Sequence, residues 1–132
     1  MTSEMTKKIL VVDDEAVVCE SCRRILIREG YQVDTCSDSR TGLRLAELNH
    51  YDAILLDLRM PIVDGVRFLE RVREVRPGLP VVIITGHASA ESDRAFERLG
   101  ICELIAKPFT PEEITTAVRR AVGEDKDKES SG

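Results

Sequence analysis

Short apolar runs recur along the chain and are separated by longer segments of mixed character. Three of these runs, at Lys8–Val12, 53–56 and 80–84, are nearly free of charge and are bounded by polar residues. Runs of this kind predict strands that are buried on both faces. Residues 31–36 alternate between apolar and polar positions, which predicts a strand at the sheet edge, and residues 101–106 predict the last strand. The pattern therefore predicts five strands.

The segments after the strands repeat their apolar residues at the spacing of a helix. They predict helices after Val12, at Ser39–Leu48, at 66–76, at 89–99 and after Thr110. Gly30 is expected to stop the first helix and Asp64 to cap the third, while Pro111 and Glu113 complete a capping motif with Thr110. The residues predicted to face inward are Val18, Cys22, Ile25, Leu26, Leu43, Ala46, Leu48, Val66, Leu69, Val72, Ile114, Ala117, Val118, Ala121 and Val122.

Strands and helices alternate along the whole chain. This order predicts an α/β fold, in which a doubly wound parallel sheet carries helices on both faces and right-handed crossovers connect its strands. At 132 residues the chain has the length of one domain. We expect residues 1–122 to form that domain and residues 123–132, which are charged and small, to be a disordered tail.

Charge and composition narrow the class of protein. The net charge is −5 and no basic stripe is present, so direct binding to nucleic acid is not expected. No apolar run is long enough to cross a membrane, and the first residues do not resemble a signal peptide. A chain of this kind is expected to be cytoplasmic and its four cysteines to be reduced thiols.

Polar side chains follow four of the predicted strands. Asp13 and Asp14 follow the first strand, Asp57 the third, Thr85 the fourth and Lys107 the fifth. The carboxyl ends of parallel strands meet at one edge of a sheet, where ligands bind. Carboxylates held together there repel one another, and Mg²⁺ relieves that repulsion. Together with a lysine and a hydroxyl, the set indicates phosphoryl transfer to a carboxylate.

Four motifs at these strand ends resemble a known family. The segments VVDDE, LLDLRMPIVDG, VVIITGHA and IAKPF are similar to those of the receiver domains of bacterial two-component response regulators, including the single-domain chemotaxis type. The resemblance covers residues 7–122. It implies a flavodoxin-like fold with strand order 2-1-3-4-5 and five helices.

The resemblance implies a phosphoacceptor and a metal site. Asp57 would accept a phosphoryl group from a phosphohistidine of a partner kinase. Asp14, Asp57 and the backbone carbonyl of Arg59 would bind Mg²⁺ directly, and Asp13 would bind it mainly through water.

The resemblance also implies a switch. Lys107 would pair with the phosphoryl group, and Thr85 would move to form a hydrogen bond with it. The peptide bond between Lys107 and Pro108 would be cis. An aromatic residue usually stands three positions before the lysine and moves with the threonine, but this chain has Leu104. One interpretation is a merely conservative apolar change. The hypothesis that we favour is that the aromatic half of the switch is missing, which predicts weak or altered coupling to the face made by the last two helices and the last strand.

Arg59 and His87 each lie two residues after a site residue, at the rim of the predicted site. One interpretation is that they are simply solvated. The functional hypothesis is that they set the lifetime of the phosphoryl group by shielding it or by contacting it.

The expected partners are a sensor histidine kinase or phosphotransfer protein, and a downstream protein bound through residues 89–99, the last strand and the last helix. A phosphorylation-dependent homodimer is a further candidate, and the sequence leaves terminal output and phosphate shuttling both open. A Mg²⁺-dependent phosphohydrolase is the enzyme alternative. It would need an acid two residues after the nucleophile, where this chain has Arg59, so we expect no enzyme. An unphosphorylated interaction module would not need the full set of site residues.

Overall fold

The computed structural model describes residues 6–58, 62–86, 94, 97, 98, 100 and 103–123. Its strands are β1 (Lys8–Val12), β2 (Gln32–Cys36), β3 (Ala53–Leu58), β4 (Val81–Thr85) and β5 (Glu103–Ala106). Within the described ranges the helices are α1 (Ala16–Arg28), α2 (Ser39–Leu48), α3 (Ile62–Val75) and α4 (Pro111–Ala121). Most of the predicted helix at 89–99, and residues 124–132 of the predicted tail, lie outside the described residues.

The five strands form one parallel sheet in the order β2-β1-β3-β4-β5. This confirms the predicted sheet and the edge position of the alternating strand. The central strands are apolar throughout because helices cover both faces of the sheet. All five strands run in the same direction, so their carboxyl ends share one edge.

The core consists of two layers, one on each face of the sheet. Alternate strand residues such as Ile9, Leu55 and Ile84 pack with α1 and α4, while their neighbours Leu10, Leu56 and Ile83 pack with α2 and α3. The period of two places successive side chains on opposite faces, so each central strand contributes to both layers. At about 25 cal/mol per Å², burial of these apolar side chains is the main term that holds the helices on the sheet.

The last helix is formed as the sequence predicts. The Thr110 hydroxyl accepts from the Glu113 backbone N–H, and the Glu113 carboxylate accepts from the Thr110 N–H. These reciprocal bonds satisfy donors that the first helical turn leaves open. Ile114, Ala117 and Val118 are buried and hold α4 on the sheet.

Two predictions about the helices were wrong. Leu48 was expected to face inward, but its side chain is 72% exposed. Positions two apart on a helix lie about 200° apart around its axis, so Leu48 lies on the opposite face from the buried Ala46. Leu43 and Leu45 are partly buried with Ala46. Asp64 was expected to be an N-cap, but α3 already begins at Ile62 and so includes it.

Candidate acceptor site at the sheet edge

The strand register brings two acids together. Val12 of β1 lies opposite Leu56 of β3. Asp13 and Asp57 are the residues that follow them, so they are neighbours at the carboxyl edge of the sheet. Asp13 is 1% exposed and Asp57 is 5% exposed. β3 continues to Leu58, so Asp57 is held within the strand instead of just after it. The backbone ladder therefore fixes where this carboxylate stands.

Lys107 contacts Asp57 directly. Its Nζ lies 2.8 Å from Asp57 Oδ2, and the Asp57 side chain is almost completely buried. The Lys107 backbone N–H donates to the Thr85 carbonyl over 2.9 Å, which ties the turn after β5 to the end of β4. The bond between Lys107 and Pro108 is cis, as expected. Thr85 is also buried, so this edge of the sheet collects an acid, a cation and a hydroxyl.

The two acids are incompletely satisfied by the protein. Glu15 donates its backbone N–H to Asp13 Oδ1 over 2.8 Å. Asp13 Oδ2 and Asp57 Oδ1 accept no hydrogen bond from the described residues. The pKa of Asp13 is raised from its ordinary 3.8 to about 7, first by burial and then by the neighbouring Asp57, while the Glu15 N–H and Lys107 act against that rise. Buried carboxylate oxygens without donors call for a cation.

The residues present fit Mg²⁺. Within the described ranges no group of three or more His, Cys, Asp and Glu side chains is arranged to hold a metal ion. Mg²⁺ is usually bound through one or two carboxylates and keeps several waters. Asp13 and Asp57 offer two such carboxylates with open oxygens, and Asp14 is exposed beside them. Arg59, whose carbonyl was predicted as a further ligand, lies outside the described residues, as does the predicted rim residue His87.

A cavity beside the acids was missed by the sequence analysis. It encloses about 780 Å³ between the ends of β1 and β3 and the helices α2 and α3. Its lining contains Asp13, Asp14 and Asp57 together with Arg40, Arg67 and Arg71. The i, i+4 spacing of Arg67 and Arg71 puts them on one face of a helix. That spacing was the available signal, but the neighbouring α2 had to be placed before a cavity could be recognised.

Comparison with known proteins decides the family. The protein-family model for the response regulator receiver domain matches residues 9–119 of the chain. The chain belongs to the receiver domain family. The two-component response regulators of this family are phosphorylation-controlled signalling proteins. The resemblance seen in the four sequence motifs is confirmed.

Curated relatives agree with that assignment. The chain is 36% identical over 115 residues to the response regulator MprA of Mycolicibacterium vanbaalenii, covering 87% of this chain and 50% of the relative. It is 34% identical over 120 residues to the alkaline phosphatase synthesis transcriptional regulatory protein PhoP of Bacillus subtilis, covering 87% and 48%. The chain thus spans about half the length of these relatives.

Solved structures of receiver domains have the same fold. A CheY-like receiver domain from Methanospirillum hungatei JF-1 superposes with a TM-score of 0.83 at 29% identity, covering 93% of this chain and 98% of that one. The beryllofluoride-activated NtrC4 receiver domain dimer superposes with a TM-score of 0.82 at 34% identity, covering 90% and 98%. Receiver domains are signalling switches that generally use Mg²⁺ and interact with histidine kinases and downstream effectors. The family assignment therefore favours the switch over the phosphohydrolase.

None of the helices in the described part of the receiver domain is both long and apolar enough to span a bilayer.

Proposed function

We propose that Asp57 is the phosphoacceptor of this receiver domain. The observation that carries the proposal is a buried Asp57 carboxylate that is paired with Lys107 at 2.8 Å and has one oxygen without a donor. An acid in this position can attack phosphorus, because its neighbours hold it in place while one oxygen stays open. The buried acids of a purely structural interaction module would be expected to find hydrogen-bond partners.

In the proposed transfer, the phosphoryl group passes from a histidine nitrogen to an Asp57 oxygen. An Asp57 carboxylate oxygen attacks the phosphorus of a phosphohistidine, the P–O bond forms, and the P–N bond breaks. The departing imidazole nitrogen keeps the electron pair of the broken bond and takes up a proton. Lys107 keeps an anionic partner throughout, since the phosphoryl oxygens replace the carboxylate as its counter-charge.

The metal would be held by Asp13, Asp14, Asp57 and the carbonyl of Arg59, with Asp13 acting mainly through water. When bound, Mg²⁺ would neutralise the charge of the phosphoryl oxygens. Asp13 and Asp57 alone bring up to two negative charges to a buried space that only Lys107 offsets among the described contacts. An anionic phosphoryl group is therefore expected to enter only with the cation.

The switch would run from Thr85 to the face made by the residue 89–99 segment, β5 and α4. Thr85 lies opposite Ala106 in the sheet and is tied to Lys107 through its backbone carbonyl. A Thr85 hydroxyl drawn towards the phosphoryl group would change the packing at this edge of the sheet. A downstream protein would bind there, and Arg59 and His87 would set how long the phosphoryl group survives.

The proposed partners are a protein that donates the phosphoryl group and a second copy of the chain. A sensor histidine kinase or phosphotransfer protein would supply the phosphoryl group. A phosphorylation-dependent homodimer is supported by the activated NtrC4 receiver domain, which is described as a dimer. We also propose that the receiver domain occupies residues 1–122, of which the family model matches 9–119.

The test is the intact mass of the protein after incubation with acetyl phosphate, with Mg²⁺ and with EDTA. One added phosphoryl group that requires Mg²⁺ and is absent from Asp57→Ala supports the proposal. Asp52→Ala is the matched control, because Asp52 precedes the same strand at its opposite end. If acetyl phosphate gives no adduct, a phosphohistidine kinase is the second donor. Failure of both donors would leave an unphosphorylated interaction module.

A further inference from the structure

The cavity beside Asp57 is larger than a phosphoryl group needs. Its volume of about 780 Å³ lies in the range of sites that bind whole small molecules, roughly 300–1,000 Å³. It is continuous with the acceptor, because Asp57 and Leu56 both belong to its lining. Whatever fills the remaining space would therefore lie next to the reacting carboxylate.

The lining of the cavity includes arginines and apolar side chains besides its acids. Arg40 lies in the first turn of α2, and Arg67 lies on α3. Neither arginine forms a salt bridge with a described residue, whereas Arg71 lies 3.6 Å from Glu74. The apolar part of the lining comes from Val12, Leu43, Leu56 and Phe68. A cavity that combines apolar lining residues with exposed guanidinium groups suits a small organic anion.

Chemistry limits which small anions can donate a phosphoryl group here. The product on Asp57 is itself an acyl phosphate, so an ordinary phosphate ester is too stable to form it. An acyl phosphate or a P–N phosphate is reactive enough. When an acyl phosphate reacts, the Asp57 oxygen forms the new P–O bond and the old P–O bond breaks. The departing group is then a carboxylate, which keeps the electron pair.

We propose that Arg40 and Arg67 are positioning residues that bind the carboxylate portion of a low-molecular-weight acyl phosphate in this cavity. The inference rests on the proposed role of Asp57 as the phosphoacceptor and adds a preferred class of small donor. The planar guanidinium group matches the two oxygens of a carboxylate. The charge that develops on the leaving oxygen would thus meet a cation already in place.

The arginines also oppose the acids of the same cavity. Asp13, Asp14 and Asp38 line it together with Asp57, and their charge repels a dianionic donor. One positive charge at roughly 10 Å from a dianion in water changes its local concentration about fourfold. Loss of both arginines is therefore expected to slow the reaction by about tenfold at low salt.

The experiment compares two small donors with different leaving groups. Acetyl phosphate releases a carboxylate, whereas phosphoramidate releases ammonia. Rates of Asp57 phosphorylation are measured with Mg²⁺ for wild type, Arg40→Gln/Arg67→Gln and Arg40→Lys/Arg67→Lys. The matched control is Arg28→Gln/Arg44→Gln, which removes the same charge from exposed positions that do not line the cavity.

The expected result is a loss of selectivity between the two donors. The glutamine pair should react about tenfold more slowly with acetyl phosphate, which is a dianion near neutral pH, but only about threefold more slowly with phosphoramidate, which carries about one net negative charge there. The lysine pair should recover most of the rate, and the effect should shrink at about 0.5 M salt. A phosphoramidate rate within about threefold of wild type shows that the variant is folded and its acceptor intact.

Two outcomes would overturn the inference. One is a glutamine pair whose donor preference equals that of the Arg28→Gln/Arg44→Gln control. The other is a wild-type protein that a phosphohistidine kinase labels on Asp57 but acetyl phosphate does not, which would leave the proposed function standing. Failure of every donor with wild type would remove both proposals, so the two failures are distinguishable.

Discussion

Asp13 carries the largest electrostatic conflict in the described site. Its carboxyl is buried next to that of Asp57, and one of its oxygens accepts no hydrogen bond from the described residues. A group in this position favours its neutral form, which is why its pKa rises to about 7. Such a conflict costs stability and is characteristic of functional sites.

Asp13→Asn should therefore stabilise the protein in a way that depends on pH. The pKa of Asp13 is raised from 3.8 in the unfolded chain to about 7 in the fold. Because the folded-state pKa is raised, binding of a proton to Asp13 stabilises the fold. This stabilisation is fully present below about pH 4 and is lost as the pH rises through about 7. We expect the variant to exceed wild type by about 1–3 kcal/mol at pH 7.5, and the difference to vanish near pH 4.

Urea unfolding with EDTA at several pH values measures this difference. Glu47→Gln, at an exposed position on α2, is the control for removing one negative charge. A stability difference that stays constant from pH 4 to pH 7.5 would contradict the interpretation of Asp13.

At the scale of elements, α2 depends on two specific attachments. Gly42 lets the helix approach β1, since a Cβ at this position would lie 3.0 Å from Val12 Cγ2. The Arg76 guanidinium, beyond the end of α3, donates to the carbonyls of Ala46 and Glu47 over 3.1 and 3.2 Å. Carbonyls in the last turn have no partner within their own helix, so Arg76 caps α2 from a neighbouring element.

Arg76→Ala should destabilise the protein by about 1–3 kcal/mol, because carbonyls of the last turn of α2 lose charged donors. Arg76→Lys should recover little, since one ammonium group cannot reproduce the planar set of donors. Arg71→Ala is the control, because its exposed pair with Glu74 at 3.6 Å should contribute about 0–1 kcal/mol. The midpoint of urea unfolding measures all three variants, and equal losses for Arg76→Ala and Arg71→Ala would refute the capping role.

At the scale of the whole molecule, the parallel sheet connects the acceptor to the distant faces. Next to Asp57, the hydrogen bond from the Lys107 N–H to the Thr85 carbonyl joins the segment after β5 to the end of β4. Leu104, in β5, lies opposite Ile83 of β4. Its side chain is partly buried and packs on the α2–α3 side of the core. The position that usually carries a mobile aromatic side chain thus holds an aliphatic one within the packed core.

Weak coupling is the expected consequence of Leu104. Phosphorylation with Mg²⁺ should shift the NMR signals around Asp57 and Thr85 strongly and those of β5 and α4 weakly. Leu104→Tyr should enlarge the response of β5 and α4 by restoring a side chain that can move with Thr85. Wild-type α4 signals that shift as fully as those of the site would disprove this hypothesis, and Leu104→Met serves as the aliphatic control.

The sequence by itself determined the five strands of the sheet and the helices of the described ranges. It also predicted a set of site residues, of which the structure brings Asp13, Asp57, Thr85 and Lys107 to one edge of the sheet. Buried parallel strands must be apolar on both faces, so their positions can be recognised directly, and the motifs name the polar residues that follow them. Leu48 was misassigned because it lies two positions after the buried Ala46, on the opposite face of α2. Asp64 was misassigned because α3 starts before the first strongly periodic residue.

Only the tertiary structure decided which groups share an environment. Asp13 and Asp57 become neighbours through strand register, and the burial that raises the Asp13 pKa depends on every element around it. The Arg76 cap on α2 and the arginine-lined cavity each join residues of different helices. Local patterns specify elements because they depend on near neighbours in the chain. Contacts between distant segments depend on how those elements pack.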